Sequence, residues 1–182
     1  MRLRPGSIPQ GAATWVMPII GARRGAMPPA RYQRRAIVMS SPWEIRRRLS
    51  EAINAHDLHR VLEFYTPDAV LVTPAGIAEG REQIGCFYEQ FFKAFPDYRQ
   101  TAWLEVPGDD PMVTEWTFTG THLGPLLLPD GRELEGTGRH ITVRASCMAS
   151  VVDEMIVTHR DYYDQLELYS QLGFGLTELP AE

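Results

Sequence analysis

The chain has 182 residues, 44% hydrophobic, 23% charged and 10% aromatic, with a formal net charge of −5. That is apolar material enough for one cored domain, too much for a wholly disordered chain, and it lacks the periodic bias of a fibrous one. Residues 1–39 carry seven arginines and no acid, leaving 11 basic against 23 acidic residues in 40–182; a net charge of −12 there argues against nucleic acid as a partner.

The arginine-rich first 39 residues show no sustained helical or strand period. Trp15 to Ile20 is too short, and too interrupted by Pro18, for the apolar core of a secretory signal. Gly25-Ala26-Met27-Pro28-Pro29 after Arg23-Arg24 denies a twin-arginine signal its apolar run. An acid-free, basic leader resembles an organellar transit peptide, but its prolines oppose an amphipathic helix. Residues 1–39 therefore read as a disordered extension or an upstream start, with Met39 opening the functional protein. The folded domain is expected over 40–176 and a short tail over 177–182. No apolar stretch approaches the roughly 18–20 residues of a membrane-spanning helix. Cys86 and Cys147 are the only cysteines, which speaks against a disulfide framework and for a reducing, cytoplasmic setting.

Ser41-Pro42-Trp43-Glu44 is a capping box with proline at the first helical position. Ile45, Leu49, Ala52 and Ile53 then form one apolar stripe, with Arg46, Arg47 and Arg48 expected near solvent. Asp57 caps a short second helix whose Leu58, Val61, Leu62 and Tyr65 face inward. A strand over 69–73 closes at Pro74-Ala75-Gly76. A third helix over 81–95 carries Ile84, Phe87, Tyr88, Phe91, Phe92 and Phe95 on one aromatic face, best read as core over a sheet. Strands follow near 98–106, 112–120, 138–150 and 155–163. Pro107-Gly108-Asp109-Asp110 joins the first two, and the loop 123–135 reads as a flexible rim. A last helix, 165–172, stops at Gly173. Helices first and a meander afterwards predict an α+β domain with helices on one face of a curved sheet, leaving a hollow for a small ligand.

Four segments carry a family resemblance: Gly76-Ile77-Ala78-Glu79-Gly80, Phe95-Pro96-Asp97, Gly120-Thr121-His122-Leu123-Gly124 and His159-Arg160-Asp161. In this order and spacing they resemble the SnoaL-like polyketide (ester) cyclases of the nuclear transport factor 2-like superfamily. The likeness covers about 40–175. It implies a cone-shaped fold: a curved antiparallel or mixed sheet with three N-terminal helices on its concave face. It also implies a cofactorless catalyst that closes rings by intramolecular aldol addition, with Asp161 as the acid/base residue. An aspartate in water, of pKa about 3.9, is a poor base toward a carbon acid; an apolar cavity would strengthen it. Family cyclases carry histidine where this chain has Cys147, and cysteine cannot reproduce imidazole chemistry near neutral pH.

Strand parity bears on Asp161 independently. On 155–163, Val157, His159, Asp161 and Tyr163 share a face, and on 138–150 the apolar face is Ile141, Val143, Ala145, Cys147 and Ala149. A three-residue loop, Asp153-Glu154-Met155, sets Cys147 opposite Asp161 and turns the carboxylate into the cavity. A two-residue loop sets Ser146 there instead. The apolar face favours the longer loop.

The candidate catalytic residue is Asp161. Candidate substrate contacts are His159 beside it, His122 where the second strand enters the rim, Cys147, Trp116, Tyr65 and Tyr88. Each has a plainer reading as core or surface. Cys147 as a nucleophile lacks an evident basic neighbour, and Arg160 should point away. The five histidines show no metal-ligand spacing and there is no phosphate-binding glycine loop, so neither metal nor cofactor is called for. The expected partners are a hydrophobic, carbonyl-rich small molecule and a second copy in a homodimer, with no nucleic acid or membrane. Rival readings are an isomerase using Tyr65 or Tyr88, an epoxide hydrolase needing a second aspartate bridged by arginine, and a non-catalytic binding domain.

Overall fold

The structure is a computed structural model describing residues 41–106, 110–128 and 131–175, all within one unit, Val38–Glu182. The proposed extension 1–39, the turn residues 107–109 and the tail 177–182 lie outside the described residues.

Helix α1 (Pro42–Asn54) starts where its capping box predicts: Ser41 Oγ accepts the Glu44 amide at 3.2 Å. Its stripe of Ile45, Leu49, Ala52 and Ile53 is buried. Arg46 departs from expectation, being only 3% exposed. It stands three residues before Leu49 and seven before Ile53, on the edge of the buried stripe. Its guanidinium donates to Ser50 Oγ at 2.6 Å and to Gln100 Oε1 at 3.3 Å, which satisfies part of a charge taken from water.

Helix α2 (Leu58–Glu63) is capped by Asp57, whose Oδ1 accepts the Arg60 amide at 3.0 Å. Strand β1 (Tyr65–Thr73) begins earlier than the apolar run 69–73, because Tyr65 is fully buried and pairs with Ile156. The glycine segment at 76 forms an unforeseen strand, β2 (Gly76–Glu79), paired antiparallel with β1. Helix α3 (Gly80–Ala94) follows. The rest of the sheet is β3 (Arg99–Val106), β4 (Met112–Thr121), β7 (His140–Val152) and β8 (Met155–Tyr163), and α4 (Gln165–Leu172) ends at Gly173 with φ 102°. Between β4 and β7, the predicted rim contains a two-stranded ribbon, β5 (Leu126–Leu127) and β6 (Glu133–Leu134). Leu126 is buried, and the Leu123 and Gly124 amides both donate to the Ala94 carbonyl at the end of α3. A Cβ at Gly124 would collide with the Lys93 carbonyl, so this approach requires glycine.

The six-stranded sheet runs β2-β1-β8-β7-β4-β3 and is mixed: the early β1 lies parallel to the late β8, and the other neighbours are antiparallel. On β4, alternate residues from Met112 to Gly120 are buried. Two of the resemblance segments prove to be a structural joint. Asp97 accepts the Thr121 amide at 2.5 Å and its hydroxyl at 2.7 Å, and Phe95 packs against Gly120. The Thr121 amide, opposed in small part by burial, holds the Asp97 carboxyl below its usual range.

Candidate functional site

The hollow opens between α1, α3 and the inner face of the sheet. Arg46 and Ile53 of α1, Tyr88 and Phe91 of α3, and Trp116 and Asp161 of the sheet lie around it. The space between its walls is about 460 Å³ including the part open to solvent, yet the centres of water-sized molecules fit into only about 30 Å³ of it. It is a slot with room for roughly one water.

Its polar floor depends on the β7–β8 register. The turn is the two-residue version: Val152 pairs with Met155, and Asp153 and Glu154 have φ 49° and 63°. By itself that register would set Ser146 opposite Asp161. A bulge at Val157, between the Val151–Ile156 and Ser150–Thr158 pairs, shifts β8 by one residue and sets Cys147 opposite Asp161. The expected partner is therefore found with a different turn. Before the bulge Ile156, rather than Val157, is the buried residue, and after it His159, Asp161 and Tyr163 face the slot. Arg160, on the other parity, is exposed as expected.

Asp161 Oδ1 lies 3.1 Å from His159 Nε2, with the two side chains 11% and 2% exposed; the contact is an ion pair lacking hydrogen-bond alignment. On the ring's other side, His159 Nδ1 is 2.7 Å from the Tyr65 hydroxyl, which is 2.9 Å from that of Tyr88. Burial disfavours the imidazolium, but Asp161 and Cys147 more than offset it and hold His159 well above its ordinary pKa. Protonated His159 then donates from Nδ1 to Tyr65. Burial pushes both tyrosines up, so they remain phenols. Burial also pushes the Cys147 thiol up, and the Arg46 guanidinium and His159 pull it below its ordinary value. The absent basic neighbour of Cys147 is thus Arg46, hidden from a stripe count because it sits one residue after Ile45. The carboxylate thus meets two cations, His159 and Arg46, at the edge of an otherwise largely aromatic lining.

Of the candidate residues, Asp161, His159, Trp116 and Tyr88 line the slot. Tyr65 and Cys147 stand one layer behind, touching His159. His122 lies elsewhere: fully buried, its ring rests 5.3 Å from Phe95 and its Nδ1 accepts the Thr137 amide at 3.2 Å. Sequence reasoning missed Arg46, Gln100 and Tyr98 as lining residues. The spacing of Arg46 to Leu49 and Ile53 is the signal that would have found it. The Cys147, His159 and Asp161 donor atoms lie within 4.8 Å of one another, a set chemically able to hold a zinc-like ion, although the Arg46 charge beside them opposes a further cation.

Among solved structures the chain is similar to IdmH from Streptomyces antibioticus, a proposed polyketide cyclase, at 29% identity and a TM-score of 0.63, covering 74% of this chain and all of that one. A SnoaL-like polyketide cyclase candidate from Jannaschia matches at 20% identity and a TM-score of 0.66, covering 80% and 100%. AclR from Streptomyces galilaeus, a proposed hydroxylase, matches at 23% and 0.63, covering 72% and 95%. No curated protein matches the sequence. Residues 44–172, most of the chain, match the SnoaL-like polyketide cyclase family, and the chain belongs to that family.

Proposed function

We propose that the protein is a cofactor-independent cyclase that closes a ring in a hydrophobic, carbonyl-rich polyketide-like molecule. The observation that carries this reading is a nearly buried carboxylate, Asp161, at the edge of an aromatic slot and paired with an imidazolium 3.1 Å away. Asp161 takes a proton from a methylene flanked by carbonyls. The resulting carbanion attacks a carbonyl of the same molecule and forms the carbon–carbon bond. The new alkoxide then recovers the proton from Asp161. His159 holds the carboxylate in place and is itself oriented by Tyr65 and Tyr88. Folding a long substrate near its reacting geometry contributes several kcal/mol more. The half-buried Phe87, Phe91 and Phe92 of α3 line the slot, and admitting a guest larger than water requires them to move.

Turnover of a panel of polyketide methyl esters by wild type and Asp161→Asn, with matched folding transitions, tests this reading. Full activity in the variant removes Asp161 from the mechanism, and no turnover by the wild type favours a binding domain. The reading extends to a homodimer, supported by Trp103 and Tyr162 standing 57% and 52% exposed on the side of the sheet away from the slot. Sedimentation at the mass of one chain would refute it. The unpaired Cys86 and Cys147 fit a cytoplasmic setting.

A further inference from the structure

Three nitrogen donors around the slot are buried and have no acceptor: Arg46 Nε, Gln100 Nε2 and Trp116 Nε1. Their residues are 3%, 6% and 5% exposed, so bulk water does not reach them. A buried polar group without a partner is costly and uncommon, and three around one slot call for an explanation. They also form one assembly. Arg46 donates to Gln100 Oε1, and its guanidinium carbon sits 6.0 Å from the centre of the Trp116 ring. Guanidinium has only donors, so it fixes the Gln100 amide with its oxygen toward Arg46 and its NH₂ group free. The Gln100 backbone is clamped to α1, its main-chain N–H donating to Asn54 Oδ1 at 2.8 Å and its main-chain carbonyl accepting from Asn54 Nδ2 at 2.9 Å.

We propose that Arg46, Gln100 and Trp116 form an oxyanion site that recognises the enolate oxygen of an enolisable 1,3-dicarbonyl. This deepens the cyclase reading and rests on it for the reaction, while the binding claim stands on the donors alone. Asp161 is the proton acceptor at the slot, and the enolate it leaves behind carries its charge on oxygen. Pre-placed N–H donors in a dry site stabilise such an oxygen without reorganisation. A neutral apolar ligand of the same shape would leave all three donors unmet.

The probe pair is 4-hydroxycoumarin, a planar cyclic 1,3-dicarbonyl that is an enolate at neutral pH, and coumarin, which lacks the ionising oxygen. Calorimetric titration of the full chain at pH 7.5 should show the enolate binding at least about tenfold more tightly. Trp116→Phe, which keeps an aromatic ring and removes the N–H, and Gln100→Leu should each weaken the enolate about tenfold and leave coumarin unchanged. Near-UV circular dichroism checks that the variants retain their packing. Equal affinity for the two probes, no binding of either, or folded variants that bind the enolate like wild type would overturn the site. Asp161→Asn separates the two claims, since it should abolish turnover and keep enolate binding. If turnover survives in that variant while the enolate preference persists, the cyclase mechanism falls and the oxyanion site stands.

Discussion

Two buried histidines divide the molecule into a structural joint and a charged floor. His122 is 0% exposed and His159 is 2% exposed, yet they hold opposite charge states. Around His122 the neighbours are neutral: the Phe95 ring, the Thr137 amide and hydroxyl, and the strand ends that exchange His122 N–H to Arg139 O at 2.9 Å and Gly138 N–H to His122 O at 2.8 Å. Burial there pushes the imidazole below its ordinary pKa, and it fastens the 122–139 connection as a neutral ring. Around His159 burial acts in the same direction, but Asp161 and Cys147 outweigh it and the ring is held as a cation. Depth of burial thus decides little by itself. A charged neighbour at about 3 Å decides which histidine keeps a proton.

Removing that neighbour should break the contrast most completely. Asp161→Asn is expected to lower turnover by at least about a hundredfold, the usual scale for a lost acid/base group. The same change should bring the His159 titration, followed by imidazole NMR, down toward that of a buried neutral ring. Retained turnover together with an unmoved His159 signal would show that the pair serves neither chemistry nor the charge of the ring.

The course of these two neighbourhoods along the chain explains why one was easier to read than the other. Ser41, Asp57 and Gly173 announce helix ends because caps act over three or four residues, and the aromatic stripe of α3 repeats at the helical period. The Cys147–Asp161 pairing was reached through the apolar face of β7. Its cause, a bulge at Val157 compensating a two-residue turn, has no local signature and is settled by packing across the sheet. The charge of Arg46 suggests solvent, while its helical position places it at the core edge. Its charge partners Cys147 and Asp161 lie about a hundred residues away, and such a long-range charge match leaves no trace in local periodicity.

The protonated state of His159 also predicts a pH signature, with a fixed sign. Its folded pKa is raised above the unfolded value of about 6.5, so its stabilising contribution is complete below that pH and is lost as pH rises through the folded pKa. Wild type should therefore exceed Asp161→Asn most in Tm below about pH 6.5, with the gap narrowing as the pH is raised. Asp161 also raises the Cys147 thiol, so the comparison is made in a Cys147→Ser background, where the difference reports the His159–Asp161 pair. A gap that widens with alkaline pH would contradict the charge assignment.

The smallest effect belongs to the joint. Thr137→Val keeps the side-chain shape and the backbone amide on His122 Nδ1 but removes the hydroxyl 3.1 Å from that nitrogen. The hydroxyl also accepts the Arg139 amide at 3.4 Å; losing these neutral contacts costs on the order of 1 kcal/mol net, or a fall of about 3 °C in Tm for a domain of this size. Turnover and the His159 titration should not move, because no charge near the slot changes and the Phe95–His122 packing is retained. If either shifted with Thr137, the rim connection would be coupled to the charged floor through α3, whose terminal Ala94 carbonyl receives the Leu123 and Gly124 amides. The two histidines would then belong to one functional unit, and His122 would regain a place in the chemistry as a positioning residue.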